Sequence, residues 1–252
     1  MRAAHRTAID YLLVDVSNSY TKIAFATKTH VGRARRVPTN MLTVATLRKV
    51  LRGKEIDTLV ISSVVPEKNR LIKEAAGKIQ TLFLSAALDL GFGVEYPDPR
   101  SIGADRLANA AAVAKLYGVP AIVVDFGTAV TFDVVSKRRR YIGGVIAPGL
   151  EAMTNFLYQR TALLPKLTLR EPKAAVGKTT RAAMTAGAIF GYRGLVREIL
   201  NQITREAFRR QKPRIVATGG YARLIAAQLP EIEAVHTNLT LEGLRIIANR
   251  NS

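Results

Sequence analysis

The chain has 252 residues, 48% of them hydrophobic and 23% charged, which is typical of a globular protein and excludes a disordered or low-complexity chain. It contains no cysteine, so disulfides, thiolate metal sites and a cysteine nucleophile are excluded, and its three histidines are too scattered for a zinc site. No stretch approaches the roughly 20 apolar residues of a membrane helix, and the N-terminus lacks the apolar region of a signal peptide. We expect a soluble cytoplasmic protein with no membrane partner.

The formal net charge of +19 raises the question of nucleic-acid binding. The basic residues fall in separate clusters at 33–36, 137–140 and 205–214 instead of one stripe, and aromatic residues do not alternate with them as base-stacking platforms would require. We therefore expect solvated basic faces and no nucleic-acid partner. General attraction of anionic substrates and a nucleic-acid role are the alternatives.

The first half of the chain predicts hairpin strands followed by an alternation of strands and helices. The predicted elements are strands at 10–16, 21–27, near 30–37 and 57–63, and helices at 43–52, 67–79 and 105–116. The stretch 95–100 carries two prolines and is expected to be an exposed, semi-rigid loop. Gly118 and Pro120 end the alanine-rich helix.

The second half of the chain restarts the same pattern. It predicts strands at 121–126, 130–135 and 141–146, a turn at 137–140 between the last two, and helices after residue 149. This repetition predicts two lobes that arose by duplication. The predicted boundary lies near 117–120, so that the N-terminal lobe covers 1–118 and the C-terminal lobe 119–252.

Each predicted lobe begins with an apolar strand that ends in an aspartate followed by small hydroxyl residues, Asp15 in the first lobe and Asp125 in the second. A carboxylate at the end of a buried strand is costly unless it is paired or binds a cation. The two aspartates therefore predict a two-lobed nucleotide site containing a metal or a phosphate.

Three glycines, Gly187, Gly191 and Gly194, lie in an otherwise helical stretch of the predicted second lobe. Glycine is unfavourable inside a helix, so a run of this kind needs a reason. It predicts close packing against another helix, from this chain or from a second subunit, and a kink is the alternative.

Three segments resemble the phosphate-1, phosphate-2 and adenosine signatures of the superfamily that includes actin, hexokinase and acetate kinase. They are Asp15-x-Ser17-Asn18-Ser19-x-x-Lys22, Asp125-Phe-Gly-Thr128-Ala-x-Thr131 and Ile215-Val-Ala-Thr218-Gly219-Gly220. Small residues in a tight turn let backbone N–H groups approach phosphate oxygens, and a nearby lysine adds positive charge. The resemblance implies an α/β protein with two lobes of duplicated ribonuclease H-like fold, each a mixed sheet flanked by helices, in the architecture of actin-like ATPases and sugar kinases.

Further segments narrow the resemblance to one family. They are Tyr96-Pro-x-Pro, Ile102-Gly103-Ala104-Asp105-Arg106, Gly143-Gly-x-Ile-Ala-Pro148-Gly149, Gly177-Lys-Thr-Thr180 and Leu239-Thr-Leu-Glu242-Gly-Leu244. With the second aspartate loop, they closely resemble type III pantothenate kinase from residue 11 to about 248. The resemblance implies transfer of the γ-phosphoryl group of ATP to pantothenate, the first step of coenzyme A biosynthesis. It also implies Mg²⁺, a monovalent cation (K⁺ or NH₄⁺), and a homodimer whose interface completes the pocket.

The resemblance also assigns roles to individual residues. Asp105 matches the catalytic base, and a carboxylate at a helix start is held ionised by the free N–H groups there; the alternative is a simple helix cap. Asp125 matches the ligand of the monovalent cation, and Asp15 would hold Mg²⁺ through phosphate or water; for Asp125 the alternative is a carboxylate satisfied by turn amides. The implied ATP and phosphate contacts are Asp15, Val16, Ser17, Asn18, Ser19, Tyr20, Thr21, Lys22, Thr128, Gly219 and Gly220. The implied pantothenate contacts are Tyr96, Gly103, Ala104, Asp105, Arg106 and Thr180.

Three of these pantothenate contacts have plain structural alternatives. A guanidinium such as that of Arg106 can bind a carboxylate through two hydrogen bonds, but the residue could instead form an ion pair within its helix. Thr180 could be a helix cap, and Tyr96 a half-buried tyrosine without a ligand.

One departure from the family pattern concerns the first loop, where Ser17 and Ser19 stand in place of a glycine and a threonine. If the loop requires a positive φ, serine costs about 1 kcal/mol; otherwise its hydroxyl can donate to a phosphate. Because of Ser17, a non-catalytic regulatory homologue is kept as an alternative. The net charge keeps a nucleic-acid-binding protein on the same scaffold as a second alternative, and a superfamily kinase for another small substrate is the nearest enzymatic one.

Overall fold

The fold is taken from a computed structural model that describes residues 9–209 and 211–252. The strands are β1 (Tyr11–Val16), β2 (Tyr20–Ala26), β3 (Arg35–Pro38), β4 (Thr58–Ser63), β5 (Gln80–Phe83), β6 (Gly93–Val94), β7 (Ala121–Phe126), β8 (Ala129–Val135), β9 (Arg140–Pro148), β10 (Arg214–Gly219) and β11 (Ala234–Val235). The α-helices are α1 (Val44–Leu51), α2 (Pro66–Ala76), α3 (Ala104–Leu116), α4 (Leu150–Arg160), α5 (Thr180–Ile203), α6 (Ala222–Ala226) and α7 (Leu239–Arg250). Among the described residues, none of these helices is both long enough and apolar enough to cross a membrane.

The chain divides into two compact units. Of the described residues, unit 1 contains those up to Ala112 together with Asn238–Ser252, and unit 2 contains those from Val113 to Thr237. These units differ in extent from the predicted lobes 1–118 and 119–252, since α7 packs within unit 1. The reason is hydrophobic: Leu244 and Ile247 of α7 are fully buried, and the Tyr11 hydroxyl of β1 donates to Asn249 at 2.9 Å.

Five strands of each sheet share one topology. In unit 1 the strand order is β3-β2-β1-β4-β5, with β1 antiparallel to β2 and parallel to β4. In unit 2 the strands run in the order β9-β8-β7-β10-β11, with β7 antiparallel to β8 and parallel to β10. A hairpin of three strands followed by two parallel strands therefore occurs twice, and the predicted mixed sheets of a duplicated α/β fold are confirmed.

Each sheet packs one face against its own hydrophobic core. In unit 1 the core takes alternate residues of β1, namely Leu12, Val14 and Val16, together with residues of α1 and α2. In unit 2 it takes the corresponding residues of β7, Ile122, Val124 and Phe126, together with residues of α5 and α6. Because successive side chains of a strand point to opposite faces, Asp15 and Asp125 lie on the faces turned away from these cores.

The three glycines of α5 do not contact another helix within the described part of the chain. A Cβ added at Gly187, Gly191 or Gly194 would meet nothing within 4 Å, and all three positions are exposed. The expectation of close packing against a helix of the same chain is therefore wrong. Packing against a second subunit stays a prediction.

A buried arginine links α5 to the segment before it. The Arg193 side chain is only 6% exposed, and its two terminal nitrogens donate to the Glu171 carboxylate at 2.8 and 2.6 Å. It also donates to the Leu224 carbonyl oxygen at 2.8 Å. The hydrogen bond from Arg193 holds the pKa of the Glu171 carboxyl below its ordinary value.

Replacing Glu171 with glutamine removes the carboxylate that pairs with Arg193. Because Glu171 is half exposed, the free energy of unfolding at pH 7 is expected to fall by only about 1 kcal/mol. Since the folded-state pKa is lowered, this contribution is present above the ordinary glutamate value of about 4.3 and is lost as the pH falls through the folded value. Urea unfolding across this range measures it. Glu198→Gln, at the exposed pair with Arg205, serves as the control and should change little. A deficit that is independent of pH would contradict the assignment.

Candidate active site

In unit 1, Asp15 lies in a row of polar residues that crosses three strands. Its register partners are Lys22 on the antiparallel strand β2 and Ser62 on the parallel strand β4. Register partners on neighbouring strands share a face of the sheet, so the three side chains project from the face away from the core. We call Lys22, Asp15 and Ser62 the unit 1 row. Asp15 is 4% exposed, which is unusual for a carboxylate.

In unit 2, Asp125 occupies the equivalent position in an equivalent row. Its register partners are Thr131 on the antiparallel strand β8 and Thr218 on the parallel strand β10. We call Thr131, Asp125 and Thr218 the unit 2 row. The repeated aspartate of the sequence is thus a repeated position in the fold, but a threonine in unit 2 stands where unit 1 has a lysine.

The loop between β1 and β2 is a tight turn with an exposed tip. The Ser17 N–H donates to the Tyr20 carbonyl oxygen at 3.2 Å, and the Thr39 hydroxyl donates to the Ser17 carbonyl oxygen at 2.7 Å. Among described non-glycine residues only Arg139 and Arg209 have positive φ. Ser17 is therefore unstrained, and its departure from glycine costs the loop no backbone energy.

A second cation lies beside this loop. Arg36 of β3 is the register partner of Lys22, and its guanidinium lies 3.5 Å from the ring centroid of Tyr20. A cation held over an aromatic ring has less freedom, and two positive side chains next to a turn of small residues attract an anion. Sequence reasoning missed Arg36, because it placed the cluster 33–36 on a solvated face.

Asp105 lies in the first turn of α3, where its carboxylate accepts a hydrogen bond from the Arg106 N–H at 2.8 Å. The carboxylate folds over Gly103, since a Cβ at that glycine would be 2.6 Å from Oδ1 of Asp105. The same Cβ would be 3.5 Å from Val64, whose N–H donates to the Val16 carbonyl oxygen at 3.0 Å. Asp105 is therefore close to the carboxyl ends of β1 and β4, the end of the sheet at which the β1–β2 loop begins.

The remaining predicted substrate residues lie in three different settings. Ala104 is buried and Arg106 half-buried in the first turn of α3, and Tyr96 is 38% exposed in the loop after β6. Thr180 is the exposed first residue of α5. The N-cap of that helix is Thr179, whose hydroxyl accepts from the Ala182 N–H at 3.2 Å, so the capping role considered for Thr180 belongs to its neighbour.

In unit 2, two glycines hold the loop that follows Asp125. A Cβ at Gly149, the N-cap of α4, would be 2.8 Å from the Gly127 carbonyl oxygen and within 2.7 Å of the Thr128 carbonyl carbon. A Cβ at Gly219, where φ is +95°, would be 2.5 Å from Oδ1 of Asp125. The backbone thus approaches this loop from two sides, in a way that only glycine permits, and Gly219 lies directly against the Asp125 carboxylate.

Two buried hydroxyls next to the aspartates were not predicted. Ser62 and Thr218 are both 0% exposed, and neither hydroxyl oxygen has a hydrogen-bond partner among the described residues. A buried polar group left without a partner costs about 1–3 kcal/mol. The two hydroxyls occupy equivalent places in the two rows. The sequence signals were a hydroxyl residue near the end of each predicted strand and, for Thr218, its place in the segment that resembles the adenosine signature.

Comparison with known proteins relates the chain to one enzyme family. Residues 11–202 match the family model described as type III pantothenate kinase. The chain is 47% identical over 247 residues to the type III pantothenate kinase of Akkermansia muciniphila, covering 96% of this chain and 99% of that protein. It is 40% identical over 237 residues to the enzyme of the same name from Methylacidiphilum infernorum, covering 94% and 87%.

Solved structures show the fold class. The crystal structure of the inorganic polyphosphate/ATP-glucomannokinase from Arthrobacter sp. strain KM matches with a TM-score of 0.51 at 13% sequence identity, covering 96% of this chain and 99% of that one. At this identity the match concerns the fold alone, and it confirms the predicted architecture of actin-like ATPases and sugar kinases. The family model and the two relatives lead to one conclusion. The chain belongs to the type III pantothenate kinase family.

Proposed function

We propose that the chain transfers the γ-phosphoryl group of ATP to the primary hydroxyl of pantothenate, the reaction that begins coenzyme A biosynthesis. The observation that carries this proposal is the place of Asp105, at the start of α3 and beside the carboxyl ends of β1 and β4. A base there faces the same end of the sheet as the loop of small residues that would bind the phosphates. The cytoplasm, where ATP is abundant, is the compartment that suits this reaction.

The catalytic work falls to a small set of groups in this proposal. Residues 15–22 bind the phosphates of ATP through backbone N–H groups and the Lys22 ammonium. Thr128, Gly219 and Gly220 are the further ATP contacts that the family resemblance implies. Asp105 accepts the hydroxyl proton of pantothenate as the oxygen attacks phosphorus. Its carboxylate stays ionised because it lies at the positive end of α3 and accepts the Arg106 N–H.

Pantothenate carries a carboxylate, which calls for a cationic partner. Arg106 is the residue after Asp105 in the sequence, and its guanidinium can bind this carboxylate through two parallel hydrogen bonds. Gly103 and Ala104 supply backbone at the turn, and Tyr96 and Thr180 complete the substrate contacts. Positioning of the alcohol against the phosphoryl group accounts for most of the rate enhancement in such a transfer.

The residues present fit the two implied cations in different ways. A monovalent cation fits at Asp125, where one carboxylate lies next to the buried, unpartnered Thr218 hydroxyl and against the bare backbone of Gly219. Within the described ranges no cluster of three or more acidic, histidine or cysteine side chains could hold a metal. Mg²⁺ at Asp15 would therefore take most of its ligands from phosphate and water, as it commonly does. When bound, the cations neutralise negative charge on the phosphates.

An omission assay tests the proposed function. ADP formation is expected only when ATP, Mg²⁺ and pantothenate are all present, and it should fall when K⁺ is replaced by choline. A non-catalytic homologue would release no ADP under any of these conditions. Release of ADP at the same rate without pantothenate would contradict the proposal.

We further propose that the chain forms a homodimer through α4. This helix exposes several large apolar side chains, among them Phe156 at 59%, Leu157 at 42% and Met153 at 39%, and Leu163 just beyond it is 90% exposed. Exposed apolar groups concentrated on one element mark an interaction surface. A second copy of the chain is the occupant that the family resemblance implies.

Replacing Phe156 with aspartate is expected to convert the dimer to a monomer, because a charge would have to be buried at the centre of the interface. Light scattering after size-exclusion chromatography measures the mass directly. Val235→Asp places the same charge at another exposed apolar residue outside α4 and should leave the mass unchanged. A wild-type protein that is monomeric at micromolar concentration would contradict the dimer.

A further inference from the structure

We propose that the Thr218 hydroxyl is a second protein ligand, with the Asp125 carboxylate, of a monovalent cation bound in unit 2. This inference rests on the proposed function in so far as Asp125 is taken to be a cation ligand. The inference gives Thr218 of β10 a role in cation binding, whereas the proposed function uses the end of this strand only to bind the nucleotide.

The sheet brings the two side chains together. Thr218 and Asp125 are register partners on the parallel strands β10 and β7. Their neighbours Ala217 and Val124 belong to the hydrophobic core, so Thr218 and Asp125 both point to the opposite face. Adjacent strands are about 4.8 Å apart, so one ion can contact an oxygen from each.

The surroundings of Thr218 favour a cation over other occupants. The side chain is 0% exposed, and its hydroxyl oxygen has no hydrogen-bond partner in the described part of the chain. Any side chain at position 219 would collide with the Asp125 carboxylate, so only backbone can lie against this side of Asp125. A hydroxyl oxygen has lone pairs to offer, and an anion beside Asp125 would be repelled. One carboxylate and one neutral oxygen suit a single positive charge.

The duplication explains why such a site would occur in only one of the two rows. In the unit 1 row Lys22 is the register partner of Asp15, so a positively charged side chain of the protein shares its face of the sheet. The unit 2 row has Thr131 at the same place, which is a neutral hydroxyl. In this proposal a bound ion supplies in unit 2 the charge that Lys22 supplies in unit 1.

Thermal unfolding under K⁺ titration tests the inference without turnover. KCl replaces choline chloride at constant ionic strength, so that screening of the +19 charge stays the same. Wild-type protein is expected to gain stability with K⁺, since an ion that binds only the folded state raises the unfolding temperature. Thr218→Val replaces the hydroxyl with a methyl group of similar size. It is expected to weaken the apparent K⁺ affinity about 10-fold or more, as loss of groups around a metal commonly does.

Three further variants sharpen the test. Thr218→Ser restores the hydroxyl and should recover most of the K⁺ response. Ser62→Ala removes the equivalent hydroxyl of the unit 1 row and should leave the K⁺ response intact. Thr131→Lys copies the unit 1 row into unit 2 and should make the unfolding temperature insensitive to K⁺.

The outcomes separate this inference from the proposed function. A full K⁺ response in Thr218→Val would overturn the inference and would leave Asp125 as a ligand. The Thr218 hydroxyl would then be hydrogen-bonded to a buried water. Absence of a K⁺ response in the wild type would overturn both the inference and the cation role of Asp125. Neither outcome bears on whether the protein phosphorylates pantothenate, because that reaction is measured in a separate assay.

Discussion

Replacement of Asp105 with asparagine is expected to lower the turnover number by about 10²- to 10⁴-fold, the usual contribution of a positioned general base. The amide has the same shape and can still accept the Arg106 N–H, which Oδ1 of Asp105 accepts at 2.8 Å. It cannot take a proton from the pantothenate hydroxyl. Steady-state kinetics with saturating ATP and pantothenate measure the loss, and thermal unfolding checks that the fold is retained.

Asp89→Asn provides the matched control for this prediction. The Asp89 carboxylate also accepts a backbone N–H, from Gly91 at 3.0 Å, but it lies outside the proposed site. This variant should retain the wild-type turnover number. Near-normal turnover in Asp105→Asn would mean that Asp105 is only a helix cap and that another group accepts the proton.

Replacement of Gly243 with alanine is expected to destabilise the protein by about 3 kcal/mol or more, at the upper end of what overpacking costs. A Cβ at this residue of α7 would be 2.5 Å from the carbonyl carbon of Ala108 in α3 and 2.8 Å from its Cα. These are backbone atoms, so neither helix can relieve the collision by rotating a side chain. Urea unfolding measures the change in the free energy of unfolding.

A second substitution distinguishes a backbone collision from ordinary crowding. Ala108→Gly removes the side-chain methyl of that residue but leaves its carbonyl in place, so it should not rescue Gly243→Ala. An unchanged unfolding midpoint in Gly243→Ala would contradict the close approach of α7 to α3 and, with it, the assignment of α7 to unit 1.

The positions of most strands along the chain, and of the two aspartates at strand ends, were predictable because they follow from local patterns. Continuous apolar runs ending at Asp15 and Asp125 indicate buried strands, and a repeated pattern indicates a repeated topology. Most predicted strands and helices agree with the structure to within a few residues. The strand predicted near 30–37 is shorter, since β3 spans only Arg35–Pro38 and Val31 forms an isolated bridge with Ala26.

Features that depend on distant contacts could not be predicted from local patterns. The packing of α7 in unit 1 depends on the buried side chains of Leu244 and Ile247. The sequence shows that these residues are apolar, but it does not show which sheet they cover. The collision distances at Gly219 and Gly149 require the backbone of another segment. In the sequence, Ser62 and Thr218 look like ordinary strand residues. Only the strand register shows that each unpartnered hydroxyl lies next to an aspartate.

Identification of the phosphorylated product tests the central claim most directly. The protein is incubated with ATP, Mg²⁺ and K⁺ and with pantothenate, glucose, N-acetylmannosamine or acetate, and each product is analysed by mass spectrometry. We expect one phosphoryl group to be added to pantothenate and none to the other three compounds. Phosphorylation of a sugar or of acetate, with pantothenate unchanged, would contradict the account.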